Sequence, residues 1–521
     1  MKRNDSIQQL RSTTQWDIII IGGGATGLGC AVDAASRGYK TLLLEKYDFA
    51  KGTSSRATKL VHGGVRYLAQ GNIRLVKEAL QERGRLLNNA PHVCHKLAFV
   101  VPFYTRWQKI YYGFGLWLYE WLSGKLSLGD TKLLSKKGTL KNLPDLADEK
   151  LSGGVLYFDG QFDDSRLAIN LAQTATEQGA AVINYFAVNG FIKEEGKIKA
   201  VIATDEINNE VFEIKGAAII NATGVFADEL LQLAEGYKVE TIAPSQGIHL
   251  VVDKKFFKGI AALMIPKTDD GRVLFAIPWH NKLLLGTTDT PVDKISTEPK
   301  ALEEEIDFVI NHFNRYASSV ISRSNVLSVF AGLRPLAKAG DKKKTAVMPR
   351  DHHIAVLPSG LIHVTGGKWT TYRSMAEHAV DKAITEAALK KSVCKTKNLR
   401  MHGWINNNET SHLSIYGSDA AAIKKMMDAD TSLAEKIHPG YSYTKAEVKW
   451  ILQNEMVIML EDVLARRIRL LFLDAGAAME AAPAVAYMMA KEMQKDEAWA
   501  MQQCAVFNKL AKKYLTGDSP L

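Results

Sequence analysis

The sequence predicts an α/β (α+β) protein. It should contain a dinucleotide-binding unit on a parallel sheet, a second sheet-rich region and an α-helical C-terminal domain. Three observations carry this expectation. Residues 17–21 (DIIII) form a β-branched run, and GGGATG (22–27) follows it directly. A polar, Lys/Asn-rich stretch at 391–410 separates strand-bearing sequence from a tail without strand signals. A chain of 521 residues, 46% hydrophobic and 23% charged, can bury a large core, which excludes disorder, collagen and coiled coil.

In chain order, the first fifteen residues (MKRNDSIQQLRSTTQ) are basic but lack an apolar core, so no signal peptide is expected. The run 17–21 reads as a buried parallel strand, Leu28 to Ser36 as a helix ending at Gly38, and TLLLE (41–45) as a second strand. Together they make one right-handed βαβ unit. Helical patterns follow at 72–90, 166–178, 301–316 and 372–390. Strand-like runs lie at 181–188, 198–204, 211–221, 248–252, 273–277, 283–288 and 353–357. Beyond the 391–410 linker, residues 418–428, 445–455, 457–472, 475–492 and 496–515 carry helical apolar spacing.

Gly22, Gly24 and Gly27 match G-x-G-x-x-G between a strand and a helix. The first permits the turn, the second lets the backbone approach a pyrophosphate, and the third lets helix and strand pack closely. Glu45, ending the second strand, can accept ribose hydroxyls. An acid there suits NAD or FAD. The fingerprint lies at the N-terminus, while a second glycine-bearing strand end (IINATG, 219–224) and a late GGK (366–368) lie far downstream. A chain that returns to its cofactor from distant segments has the pattern of a flavoprotein.

Four cysteines show no disulfide or Cys/His metal spacing, so a reducing cytoplasm is expected and no metal site. The formal charge of +10 would attract nucleic acid, anionic lipid or an anionic small molecule alike. Residues 99–122 hold Trp107, Trp117 and Trp121, with Arg106, Lys109 and Lys125 nearby. That segment is too short in apolar residues to span a bilayer and reads as interfacial; a buried aromatic cluster is the other reading.

The sequence resembles the FAD-dependent glycerol-3-phosphate dehydrogenases. The matching residues are 17–46, GTSSRATKLVHGGVRYL (52–68), NATG (221–224), IPW (277–279), GTTD (286–289), GLRPL (332–336) and GGKWTTYR (366–373). The resemblance implies a Rossmann-like FAD-binding domain, a substrate-binding sheet that caps the flavin, and an α-helical C-terminal domain. The FAD-dependent region would cover 1–390, with FAD-binding segments near 16–95, 165–240 and 330–390 and substrate segments near 96–164 and 241–329. Residues 411–521 would form the helical domain. The implied reaction oxidises sn-glycerol 3-phosphate to dihydroxyacetone phosphate by hydride transfer to FAD, with electrons passing to membrane quinone. The implied partners are an anionic membrane surface at the inner face of the cytoplasmic membrane and, by family analogy, a second copy in a homodimer.

The family's substrate positions map onto Arg66, Tyr67, Asp289, Arg334, Arg350 and Lys368. The expected general base is His249 in PSQGIHLVVD, where Gln246 replaces the family's usual cation. His62 is the second candidate, and Arg334 would stabilise the developing alkoxide. FAD contacts would come from Gly22, Gly24, Gly27, Glu45, Thr53, Ser54, Ser55, His62, Thr223, Gly224, Lys368, Trp369 and Thr370; Trp369 replaces a more usual Leu or Ile. A glycerol-3-phosphate oxidase using O₂ shares all these motifs, and an amine or amino-acid oxidase is a more distant alternative. Nucleic-acid binding is not expected.

Overall fold

The β-branched run folds as the strand Trp16–Ile21, and its alternate side chains enter two different cores. Ile18 and Ile20 pack with the helices Ala25–Ser36, Asp164–Glu177 and Tyr372–Glu386. Ile19 and Ile21 face Leu10, Phe186, Val201 and Leu231 on the opposite side. A strand covered on both faces needs this continuous apolar sequence. The strand pairs in parallel with Thr41–Leu44 on one side and Glu210–Asn221 on the other. Ala181–Ile183 extends the sheet beyond Thr41–Leu44, and Ile362–Gly366 with His352–Val356 extends it beyond Glu210–Asn221. The computed structural model describes residues 1–69, 71–338, 352–406 and 411–517.

A second, mixed sheet holds ten strands. Its longest pairing runs antiparallel between Ile242–Asp253 and Val326–Ala337, setting His249 opposite Phe330 and Ser245 opposite Arg334. Cys94–Phe103 and Gly153–Phe162 continue this sheet. One face packs on the helix Glu303–Asn314 through residues such as Leu250, Leu285 and Phe313. The other face reaches the C-terminal helices through Val251, Phe330 and Leu284.

Within the expected interfacial stretch, residues to Phe103 belong to a strand, and Thr105 with Gln108 forms a capping box that starts the helix Arg106–Ser123. Helices also form at Ala420–Ala429, Lys445–Asn454, Ala475–Glu492 and Glu497–Ala511. The expected helix over 457–472 does not form as one element. Asp462–Arg467 is a wide π-helical turn, Arg469 adopts φ 68°, and Leu470–Leu473 is a separate turn of helix. The cause is electrostatic. Arg466 and Arg467 both reach Asp48, while Arg469 donates to the Ser55 carbonyl (2.8 Å) and Asp164 (3.2 Å). A regular helix would splay these three side chains around its circumference.

Candidate active site

The glycine-rich turn opens onto a groove of about 690 Å³, lined by Gly22, Gly24, Glu45, Thr53, Ser54, Thr223, Gly224, Lys368 and Trp369 among others. The helix from Ala25 begins at its edge, and a helix's first N–H groups are ready anion donors. Gly27 lies beneath: a Cβ there would stand 1.8 Å from the Gly22 carbonyl oxygen, so helix and turn touch backbone to backbone. Glu45 closes the turn by accepting from the Gly23 N–H (2.5 Å) and the Tyr47 N–H (2.8 Å). Burial raises its pKa, and those two donors oppose the rise. Ser54 Oγ accepts from the Ala25 N–H (2.9 Å), and the Trp369 indole N–H donates to the Ser54 carbonyl (2.9 Å). Size, exposed backbone and a strand-end acid fit a dinucleotide.

Two smaller cavities continue from this groove. The first, about 190 Å³, shares Thr53, Pro335, Gly366, Gly367, Lys368 and Trp369 with it. Its far wall carries Thr58, His62, His249 and Arg334. The second, about 160 Å³, shares Thr58, Leu60, His62 and Arg334 with the first. It adds Tyr67, Asp159, Arg272, Thr287, Thr288 and Asp289. The three spaces thus lie in series, with Thr58, His62 and Arg334 at the last passage.

Arg334 is fixed at that passage. It donates to the Gln246 carbonyl (3.2 Å), Asp289 (3.2 Å), Thr287 Oγ1 (3.1 Å) and the Thr288 carbonyl (2.9 Å). Gly247 makes room for it, since a Cβ there would meet the guanidinium at 2.2 Å. His249 is buried and stacked on Phe330 at 5.1 Å, and its Nε2 lies 2.9 Å from Thr58 Oγ1. Burial, then the positive charges of Lys59 and Arg334, hold its pKa well below 6.5, so the imidazole is neutral at pH 7.

The family model for FAD-dependent oxidoreductases matches residues 17–381, and that for the C-terminal domain of alpha-glycerophosphate oxidase matches 362–500. The mitochondrial glycerol-3-phosphate dehydrogenase of Homo sapiens is 36% identical, over 98% of this chain and 75% of that protein. Its Saccharomyces cerevisiae counterpart is 35% identical, over 98% and 91%. The chain belongs to the FAD-dependent glycerol-3-phosphate dehydrogenase family. The Bacillus halodurans glycerol-3-phosphate dehydrogenase, solved with FAD, superposes with a TM-score of 0.80 at 29% identity, covering 100% of this chain and 99% of that one. The L-alpha-glycerophosphate oxidase of Mycoplasma pneumoniae shares the fold, with a TM-score of 0.57 at 20% identity over 75% of this chain and all of that one. The cofactor of this family member is FAD, and the groove fits it.

Most of the expected site residues converge on the three cavities. Gly22, Gly24, Glu45, Thr53, Ser54, Thr223 and Gly224 line the groove, and Lys368 and Trp369 line it and the adjoining cavity. Thr370 and His249 line that adjoining cavity; Tyr67 and Asp289 line the third. Lys368 Nζ stands 3.9 Å over the Tyr67 ring, a cation–π contact. Ser55 lines none of the three; its buried hydroxyl turns to the Gly52 carbonyl. Arg350 and the side chain of Arg66 lie outside the described residues. Sequence reasoning missed Thr58 and Arg272. Thr58 sits inside TSSRATKL, where only its contact with His249, 191 residues away, sets it apart. Arg272 sits in a TDDGR turn that carries no motif of its own.

Proposed function

We propose that the chain oxidises sn-glycerol 3-phosphate to dihydroxyacetone phosphate and passes the electrons to a membrane quinone. The observation that carries the reaction is the series of cavities ending at Thr58, His62 and Arg334. The groove and first cavity would hold FAD, which when bound would supply a two-electron hydride acceptor. The second cavity holds the substrate, with its C2 hydroxyl at the shared passage. Thr58 Oγ1 takes the hydroxyl proton and hands its own to neutral His249 Nε2, 2.9 Å away. Arg334, held rigid by four acceptors, stabilises the negative charge that develops on the C2 oxygen. Tyr67, with Lys368, Arg66 and Arg350 by family resemblance, provides donors for the phosphate.

The acceptor reading rests on the helix Arg106–Ser123. Trp107, Ile110, Tyr111, Phe114, Trp117 and Trp121 share one face, each more than half exposed. An apolar aromatic face of this kind, flanked by Lys and Arg, suits the headgroup layer of a bilayer. No helix among the described residues is long and apolar enough to cross a membrane. Our reading is a peripheral enzyme at the inner face of the cytoplasmic membrane, and the exposed aromatic face supports its contact with lipid. With anionic vesicles containing quinone, the enzyme should co-sediment and reduce quinone with little H₂O₂. A Trp107→Ser/Trp117→Ser/Trp121→Ser variant should lose both properties yet reduce a soluble dye normally. Stoichiometric H₂O₂ with negligible quinone reduction would select the oxidase reading instead.

A further inference from the structure

A phosphate group needs several fixed donors in the cavity that receives the substrate. Arg334 is a poor one, because its guanidinium is spent on Gln246, Asp289, Thr287 and Thr288. Arg272 differs in two respects. It lines the substrate cavity and not the cavity beside it, so it addresses the part of the substrate farther from the redox centre. Its ion pair with Asp270 runs through Nε at 3.0 Å, and among the described residues its terminal amino groups make no hydrogen bond within the protein. Those two groups form the fork that binds a phosphate bidentately.

The backbone that presents Arg272 is stiff. The Thr268 N–H donates to the Arg272 carbonyl (2.8 Å), and the Arg272 N–H donates to Thr268 Oγ1 (3.0 Å). The Gly271 N–H closes the same turn on the Thr268 carbonyl (2.9 Å). The turn joins the strands Ala262–Ile265 and Leu274–Trp279, so the side chain stands at the root of a sheet strand.

We propose that Arg272 is a phosphate-binding residue of the substrate cavity, its fork holding the phosphate while Asp270 keeps the Nε edge oriented. This rests on the reading that the cavity takes glycerol 3-phosphate. The test uses flavin-loaded enzyme and compares wild type with Arg272→Met and Arg272→Lys, scoring flavin content, kcat, KM and the Kd for inorganic phosphate from flavin difference spectra. Arg272→Met should raise KM and the phosphate Kd by about 10- to 100-fold with kcat within about threefold of wild type, and Arg272→Lys should recover part of the loss. Unchanged KM and phosphate Kd in a fully flavin-loaded Arg272→Met protein would overturn the proposal. So would a fall in kcat at constant KM. Failure of the wild type to turn over glycerol 3-phosphate would instead sink the functional reading beneath it.

Discussion

The nucleotide groove and the seam with the C-terminal helices hold the same strand–helix unit by opposite means. The groove is built of backbone: glycines, a helix start and one acid, Glu45, that fastens its own turn. The seam is built of buried charge. Asp48 receives Arg466 and Arg467, Glu455 receives Arg166, and Asp164 receives Lys59 and Arg469. Each of these pairs except Lys59–Asp164 joins a residue before the polar stretch 391–410 to one after it. Backbone cradles bind a ligand and leave little for the protein to satisfy on its own. Buried charges satisfy one another, and they cost several kcal/mol when separated.

The contrast can be broken first at Asp48. Burial alone would raise its pKa, but Arg467 and Arg466 override that and hold it at about 2. Asp48→Ala leaves two buried guanidinium groups short of an acceptor and should cost about 3–5 kcal/mol, read as a lower urea midpoint. The fraction that folds should still carry FAD. In wild type, the contribution of Asp48 is present above its ordinary 3.8 and lost as pH falls through about 2.

His402 sharpens the comparison from the alkaline side, with a smaller effect. It lies between Glu177 and Asp419, and these carboxylates overcome burial and raise its pKa to about 9. A raised folded value means stabilisation that is full below 6.5 and lost as pH rises through about 9. His402→Asn should lower stability by about 1 kcal/mol on the acid side of that window and by nothing above it. A pH-independent difference in melting temperature between the two proteins would contradict this assignment.

The same contrast explains what the sequence made legible. The strand Trp16–Ile21 and the groove glycines are local signals, since spacing within thirty residues dictates the turn, while the rest of the groove comes from distant segments. The stretch that forms Arg106–Ser123 stood out by composition, as tryptophans flanked by Arg and Lys, and its exposure decides between the interfacial and buried readings. Arg272, by contrast, acquires meaning only when the second sheet folds and brings it to the cavity that Arg334 also lines. Thr58 does so only when the pairing of Ile242–Asp253 with Val326–Ala337 brings His249 to it. The broken helix near Arg469 follows the same rule: its apolar periodicity was helical, but long-range ion pairs outweighed it.

The central claim is that Thr58, at the passage into the substrate cavity, takes the proton of the substrate hydroxyl and relays it to His249 as that hydroxyl is oxidised. The most direct test is anaerobic rapid mixing of the flavin-loaded enzyme with sn-glycerol 3-phosphate, following loss of the visible flavin absorption. Wild type should bleach fully in one fast phase. Thr58→Val should slow that phase by about 100-fold at saturating substrate, and Thr58→Ser should restore it. Bleaching at the wild-type rate in flavin-loaded Thr58→Val would contradict the account.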